Sequence, residues 1–161
     1  MHLVLVDDEP VILDLLAAAC AADRHSVETF ICSHEALQYL SAHPADILVT
    51  DIVMPPPDGF RLVSAATKLQ PDLTAILMTG YSSQYSLEDV LACGATDLLF
   101  KPLHLQEFRA RVRLAEERVK LPRAECRFKA PLLPVVRVDE DESSPEAEAR
   151  RALRAVLQRA G

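Results

Sequence analysis

Ile47-Leu48-Val49-Thr50-Asp51 is an almost wholly apolar run of strand length that stops on a carboxylate. Three other runs stop on polar groups in the same way. Leu3-Val4-Leu5-Val6 meets Asp7-Asp8-Glu9, Ala75-Ile76-Leu77-Met78 meets Thr79-Gly80, and Thr96-Asp97-Leu98-Leu99-Phe100 meets Lys101-Pro102. Where parallel strands are joined by helical crossovers, ligands and chemistry collect beyond the carboxyl ends of the strands, at the point where strand order reverses. Asp7, Asp8, Asp51, Thr79 and Lys101 are therefore expected to converge on one crevice.

Outward from this stretch, short apolar runs alternate with helical patterns five times. The expected strands are His2–Val6, Ser26–Phe30, Asp46–Thr50, Thr74–Met78 and Thr96–Phe100. The expected helices are Pro10–Ala22, Ser33–Ala42, Asp58–Leu69, Gln84–Cys93 and Leu105–Lys120. In the first helix Ile12, Leu15, Leu16 and Ala19 are read as one apolar face. Strands this apolar suit a sheet covered by helices on both sides, and right-handed crossovers leave few topologies open.

At 161 residues, half of them hydrophobic, the chain has room for one domain and a modest extension. Of its 24 acidic and 17 basic residues, 17 and 10 lie in residues 1–124, so the net charge of -7 belongs to that part. Such a surface argues against nucleic-acid binding. No run approaches a membrane span, and Leu3–Val6 lacks the basic flank of a signal peptide, so a cytoplasmic protein is expected. The four cysteines form no close pair and the five histidines show no zinc-ligand spacing. They read as buried reduced thiols and surface imidazoles.

From about Pro122 the composition changes. Pro122, Pro131 and Pro134 interrupt any long helix, and Asp139–Glu142 is a solvated acidic run. Ser144-Pro145-Glu146 then reads as a helix start, and Ala149, Ala152, Leu153, Val156, Leu157 and Ala160 form an apolar stripe. The expected division is a domain over 1–121 and a linker with an amphipathic helix over 122–161. Arg109, Arg111, Arg113 and Arg118 are candidates to attract the acidic run.

Each polar cluster has an ordinary reading. Asp7-Asp8-Glu9 could cap the helix that Pro10 opens, Asp51 could be a turn residue, Thr79 could merely end a strand, and Lys101 could extend its stem to solvent. Together they make a different chemistry available. Crowded carboxylates repel one another unless a cation joins them, and Mg²⁺ takes one or two carboxylates while sharing phosphate oxygens. An aspartate there can act as a nucleophile, with a hydroxyl and an ammonium to hold the phosphoryl oxygens.

Asp7-Asp8, Asp51 followed by Met54-Pro55 and Asp58-Gly59, Thr79-Gly80, Gly94-Ala95 and Lys101-Pro102 resemble the receiver domain of two-component response regulators. The resemblance covers residues 1 to about 120. It implies a flavodoxin-like, doubly wound α/β fold with a five-stranded parallel sheet in the order 2-1-3-4-5. It further implies that Asp51 accepts phosphate from a sensor histidine kinase or a histidine phosphotransfer protein. Mg²⁺ would be held by Asp8, Asp51 and the backbone carbonyl of Val53, with Asp7 assisting through water. Thr79 and Lys101 would bind the phosphoryl group, and the bond before Pro102 would be cis. A downstream protein would read the surface of helix 4, strand 5 and helix 5, and a homodimer is left open. Activity would be limited to self-phosphorylation and slow autodephosphorylation.

The chain departs from the receiver pattern at Leu98, where family members carry an aromatic switch residue that follows the threonine. Val53 and Tyr81, two positions beyond Asp51 and Thr79, would flank the path of a hydrolytic water. Other readings carry weight as well. The chain could be the N-terminal part of a longer regulator or an interaction module acting without phosphorylation. A dehalogenase-like phosphatase needs a second aspartate where Val53 stands, and a flavodoxin-like cofactor binder would be repelled by Asp7-Asp8-Glu9 after strand 1.

Overall fold

The computed structural model describes residues 1–80, 85 and 87–120. The elements are β1 (His2–Val6), α1 (Pro10–Ala22), β2 (Ser26–Phe30), α2 (Ser33–Ala42), β3 (Ile47–Asp51), α3 (Gly59–Leu69), β4 (Thr74–Thr79), α4 (Leu87–Ala92), β5 (Asp97–Phe100) and α5 (Leu105–Lys120). All strands are parallel in the order β2-β1-β3-β4-β5, which is the expected doubly wound sheet. The chain enters at β1, steps to β2, then crosses back to β3. The order therefore reverses between β1 and β3, whose carboxyl ends carry Asp7 and Asp51.

Alternation along the strands divides the core in two. Val4, Val6, Leu48, Ala75, Leu77 and Leu98 pack with Ala36, Leu40, Leu62, Val63, Ala66 and Val90 of α2, α3 and α4. Leu3, Leu5, Ile47, Val49, Ile76, Met78 and Leu99 pack on the other face with Leu13, Leu16 and Cys20 of α1 and Phe108, Val112 and Ala115 of α5. Burial on both faces explains why β1, β3 and β4 are continuously apolar, whereas the edge strand β2 exposes Ser26, Glu28 and Thr29. Among the described residues no helix is long and apolar enough to cross a membrane.

Two local expectations are corrected. The buried face of α1 is Leu13, Leu16 and Cys20, with Ile12 and Ala19 at its margin, while Leu15 is 42% exposed. The segment is apolar nearly all round, so periodicity does not single out one stripe; docking on the sheet does. His2 and His25 are not simple surface imidazoles. His2 lies within hydrogen-bond reach of Ser26 Oγ and Tyr39 Oη, and the His25 side chain is only 6% exposed beside Glu116. Cys20 is the one buried thiol among the described cysteines, and its burial pushes the pKa up to about 12. The amphipathic helix read over residues 145–160 and the acidic run lie outside the described residues. The four arginines offered to that run are already engaged, Arg113 lying 3.7 Å from Asp23 and Arg118 also having a partner. Arg109 makes a two-pronged pair with Asp23, and Arg111 is buried against Asp97.

One polar side chain fastens three elements at the amino ends of the strands. Gln70 Oε1 accepts from the Ala45 N–H at 2.9 Å, and Nε2 donates to the carbonyls of Leu40 at 2.6 Å and His43 at 2.8 Å. These bonds close the end of α2 and the approach to β3 onto the end of α3. Gln70→Ala should cost about 2 kcal/mol, because three satisfied backbone groups lose their partner in a half-buried site. A lower urea midpoint at an unchanged m-value is the expected result. An unshifted midpoint would mean that water replaces the amide.

Candidate functional site

The crevice forms because parallel register brings successive strand ends level. Val6 lies opposite Thr50, and Asp51 opposite Met78. Asp7 and Asp51 are thus the next residues at adjacent strand ends, with Thr79 one step beyond on β4. Ligand oxygens of Asp7, Asp8 and Asp51 all lie within 4.8 Å of one another. An open cleft of about 340 Å³ above them is lined by Asp8, Glu9, Asp51, Val53, Gly80 and Lys101.

Lys101 is the central cation. Its Nζ donates to Asp7 Oδ2 and Asp51 Oδ2, each at 2.8 Å, and lies 3.7 Å from Glu9 Oε1. The ammonium is held in place rather than extended to solvent, with only 16% of the side chain exposed. Burial by itself lowers its pKa, but the bonds to Asp51 and Asp7 more than offset this and hold it above the ordinary lysine value. The Lys101-Pro102 peptide is cis, and the Lys101 N–H donates to the Thr79 carbonyl at 2.7 Å.

The capping alternative does not describe Asp7 and Asp8. The N-cap of α1 is Glu9, its side chain makes no capping bond, and Pro10 takes the first helical position. Asp7 is fully buried. Its Oδ1 accepts the Glu9 N–H at 3.0 Å while Oδ2 meets Lys101. Burial raises the Asp7 pKa most strongly; Lys101 and the Glu9 N–H pull it down, and the nearby Asp51 charge pushes it up again. A carboxylate kept in this setting gains from any further cation that reaches it. Asp8 is exposed to the cleft. Asp51 is 6% exposed, and its Oδ1 accepts weakly from the Val53 N–H at 3.4 Å. Val53 stands at the mouth, 44% exposed.

Thr79 is fully buried at the end of β4 and does not line the cleft. Leu98 is 3% exposed and packs in the α2–α4 half of the core. Strand alternation puts it on the Thr79 side of the sheet, and register sets it opposite Leu77. The residue directly opposite Thr79 is Phe100, whose partly buried ring packs against the same cluster. An aromatic group thus adjoins Thr79 although Leu98 has none.

Sequence reading gave no separate role to Glu9, Gly59, Gly80 or the pair Asp97–Arg111. Glu9 and Gly80 reach the cleft simply because each follows a site residue. Asp97 faces the α5 side of the sheet, where both its oxygens accept from Arg111 Nη1 at 2.8 Å and Oδ1 also accepts the Leu98 N–H. Burial raises its pKa, opposed by Arg111. The pair anchors α5 to β5 directly behind Leu98.

Asp58 Oδ1 caps α3 by accepting the Arg61 N–H at 2.9 Å, which starts the helix beside Asp51. Gly59 then donates its N–H to the Ile52 carbonyl at 3.1 Å. A Cβ on Gly59 would stand 2.9 Å from Ile52 Cα and still closer to the Asp51 carbonyl oxygen. Gly59→Ala should therefore force α3 off the backbone that carries Asp51, at a cost of about 2 kcal/mol from overpacking. Chemical denaturation measures it. A neutral substitution would mean that the Asp51–Gly59 segment yields freely.

Comparison with known proteins bears on the fold and the family. The family model described as "Response regulator receiver domain" matches residues 3–113. The response regulator SaeR of Staphylococcus epidermidis is 33% identical over 106 residues, covering 66% of this chain and 46% of the relative. The transcriptional regulatory protein TcrA of Mycobacterium tuberculosis is 32% identical over 126 residues, covering 76% and 49%. The chain thus spans about half the length of these curated relatives. Among solved structures, the response regulator protein TrrA of Thermotoga maritima, in complex with Mg²⁺-BeF, is 27% identical at a TM-score of 0.65, covering 71% of this chain and 97% of that one. A CheY-like receiver domain protein from Methanospirillum hungatei is 26% identical at a TM-score of 0.67, covering 73% and 94%. With the family model matched over residues 3–113, most of its length, the chain belongs to the receiver domains of two-component response regulators.

Proposed function

We propose that Asp51 accepts a phosphoryl group from a phosphohistidine of a sensor histidine kinase or phosphotransfer protein, and that the domain is a switch rather than a turnover enzyme. The observation that carries this reading is Asp51 lining the cleft, sharing Lys101 with Asp7 and placing a carboxylate oxygen within 4.8 Å of those of Asp7 and Asp8. In the transfer, an Asp51 carboxylate oxygen bonds to phosphorus as the phosphorus–nitrogen bond breaks, and the electron pair leaves with the imidazole. Lys101 holds the phosphoryl oxygens, and Thr79, fully buried behind the cleft here, joins it by turning its hydroxyl inward. Lys101 must then share its donors between Asp51 and the new group, which loosens the pairing seen around Asp7.

The donor set suits Mg²⁺: all-oxygen ligands, two of them carboxylates open to the cleft, and a third buried carboxylate behind them. Asp8, Asp51 and the Val53 carbonyl would hold the ion, with Asp7 acting through water. When bound, it would neutralise charge on the oxygens of the transferred group. Incubation with Mg²⁺ and acetyl phosphate should add one phosphoryl group by intact mass, and none with excess EDTA. Absence of any addition with Mg²⁺ would favour the reading as an interaction module.

The lifetime of the phosphorylated form should be set partly by Val53. Its aliphatic side chain at the mouth of the cleft has no group to orient an attacking water. Val53→Asn should hasten loss of the phosphoryl group several-fold, and an unchanged decay would put control elsewhere. Tyr81, the other residue invoked for this path, lies outside the described residues.

The unit that switches is residues 1–121, with 122–161 as an extension. Its output surface is α4, β5 and α5, of which Asp97–Arg111 ties β5 to α5. SaeR and TcrA are a response regulator and a transcriptional regulator about twice as long as the matched part. The expectation of no nucleic-acid contact therefore extends only to this acidic surface.

A further inference from the structure

We propose that a groove between α3 and α4 is a docking site for residues 145–160 of the same chain. The groove has a volume of about 560 Å³. It is walled by Phe60, Tyr85, Ala92 and Cys93, with Arg61 on the α3 rim and Asp89 on the α4 rim. The rings of Phe60 and Tyr85 meet at 5.2 Å. No described residue fills the space between these walls, and it lies on the sheet face opposite α5.

The occupant is chosen by pattern, charge and reach. Residues 149, 152, 153, 156 and 157 form an apolar stripe of Ala, Ala, Leu, Val and Leu at helical spacing, which matches the mixed small and aromatic walls. An isolated helix of this length is marginal in water, so the stripe needs a surface to form on. Arg150 and Arg154, four residues apart, border one edge of the stripe, while Asp89 lines the α4 side of the groove and Glu88, next to it in the chain, is exposed. The 24 residues from 121 to 144 span at most about 80 Å when extended, ample to pass from the end of α5 around the β5 edge of the sheet.

The groove also sits where its occupant can feel the site. Phe60 follows Gly59, which is packed on the Asp51 carbonyl, and Tyr85 follows the segment that leaves Thr79. The docking itself requires no phosphorylation, so it is tested without a phosphodonor and stands or falls apart from the acceptor assignment.

The experiment places p-benzoylphenylalanine at exposed position 92 of the full chain and maps the photocrosslinks by peptide mass. The expected product joins position 92 to residues 149–157 within one chain, with a yield independent of protein concentration. Leu153→Asp with Leu157→Asp, which touch only the tail, should lower that yield at least fivefold. Glu88→Arg with Asp89→Arg should lower it too, and adding Arg150→Glu with Arg154→Glu should restore it. Crosslinks confined to a second copy, to other residues of the chain, or to none would each overturn the proposal, as would a yield indifferent to the tail variants.

Discussion

Asp51→Asn is expected to take up no phosphoryl group from acetyl phosphate, a fall of at least about a thousandfold in initial rate, corresponding to roughly 4 kcal/mol of lost barrier reduction. The substitution keeps size and shape but replaces the nucleophilic carboxylate oxygen with an amide that cannot carry the new bond. Asp7 cannot take over: it is fully buried and bound by Lys101 and the Glu9 N–H. The other carboxylates open to the cleft are Asp8 and Glu9. Intact mass followed by peptide mapping reads the result. Label that persists in Asp51→Asn, on Asp8 or Glu9, would refute the assignment while leaving the cleft as the site.

Lys101→Met is expected to cost about 3 kcal/mol of stability in the absence of divalent cations, close to 10 °C in Tm. The methionine fills similar space but leaves the buried Asp7 and the nearly buried Asp51 facing each other without a counter-charge. Added Mg²⁺ should therefore raise Tm more in the variant than in the parent, because the ion then supplies the only nearby positive charge. The pH dependence has a definite sign. The folded-state pKa of Lys101 lies above the ordinary 10.5, so its stabilisation is complete below that pH and is lost as pH rises through the folded-state value. The variant should lack this alkaline loss. A variant as stable as the parent in EDTA would mean that the three carboxylates relax apart at little cost.

Most element boundaries could be read from the sequence because their signals are local. Apolar runs of four or five residues ended by Asp, Thr or Lys, and helices opened by Pro10 or Asp58, fall within one or two residues of the observed ends. For α4 the comparison is limited to Leu87–Ala92, since part of the expected Gln84–Cys93 lies outside the described residues. The convergence of Asp7, Asp8, Asp51 and Lys101 was equally legible, because parallel strands place all their carboxyl ends at one edge. The face of α1 was not. Its residues are apolar almost all round, so only packing against the sheet tells Leu13 and Cys20 from Leu15.

The sequence by itself determined the order of elements, the class of sheet and the residue types available at the crevice, since these depend on periodicity and on strand ends. Only the tertiary structure decided how the charges are shared. Lys101 bonds to both Asp7 and Asp51, Asp97 is neutralised by Arg111 from a different element, Phe100 faces Thr79, and Gly59 lets α3 settle on the Asp51 backbone. The physical reason is that electrostatic and contact energies depend on distances of a few ångströms between residues far apart in the chain. Register and helix docking set those distances, and no local pattern encodes them.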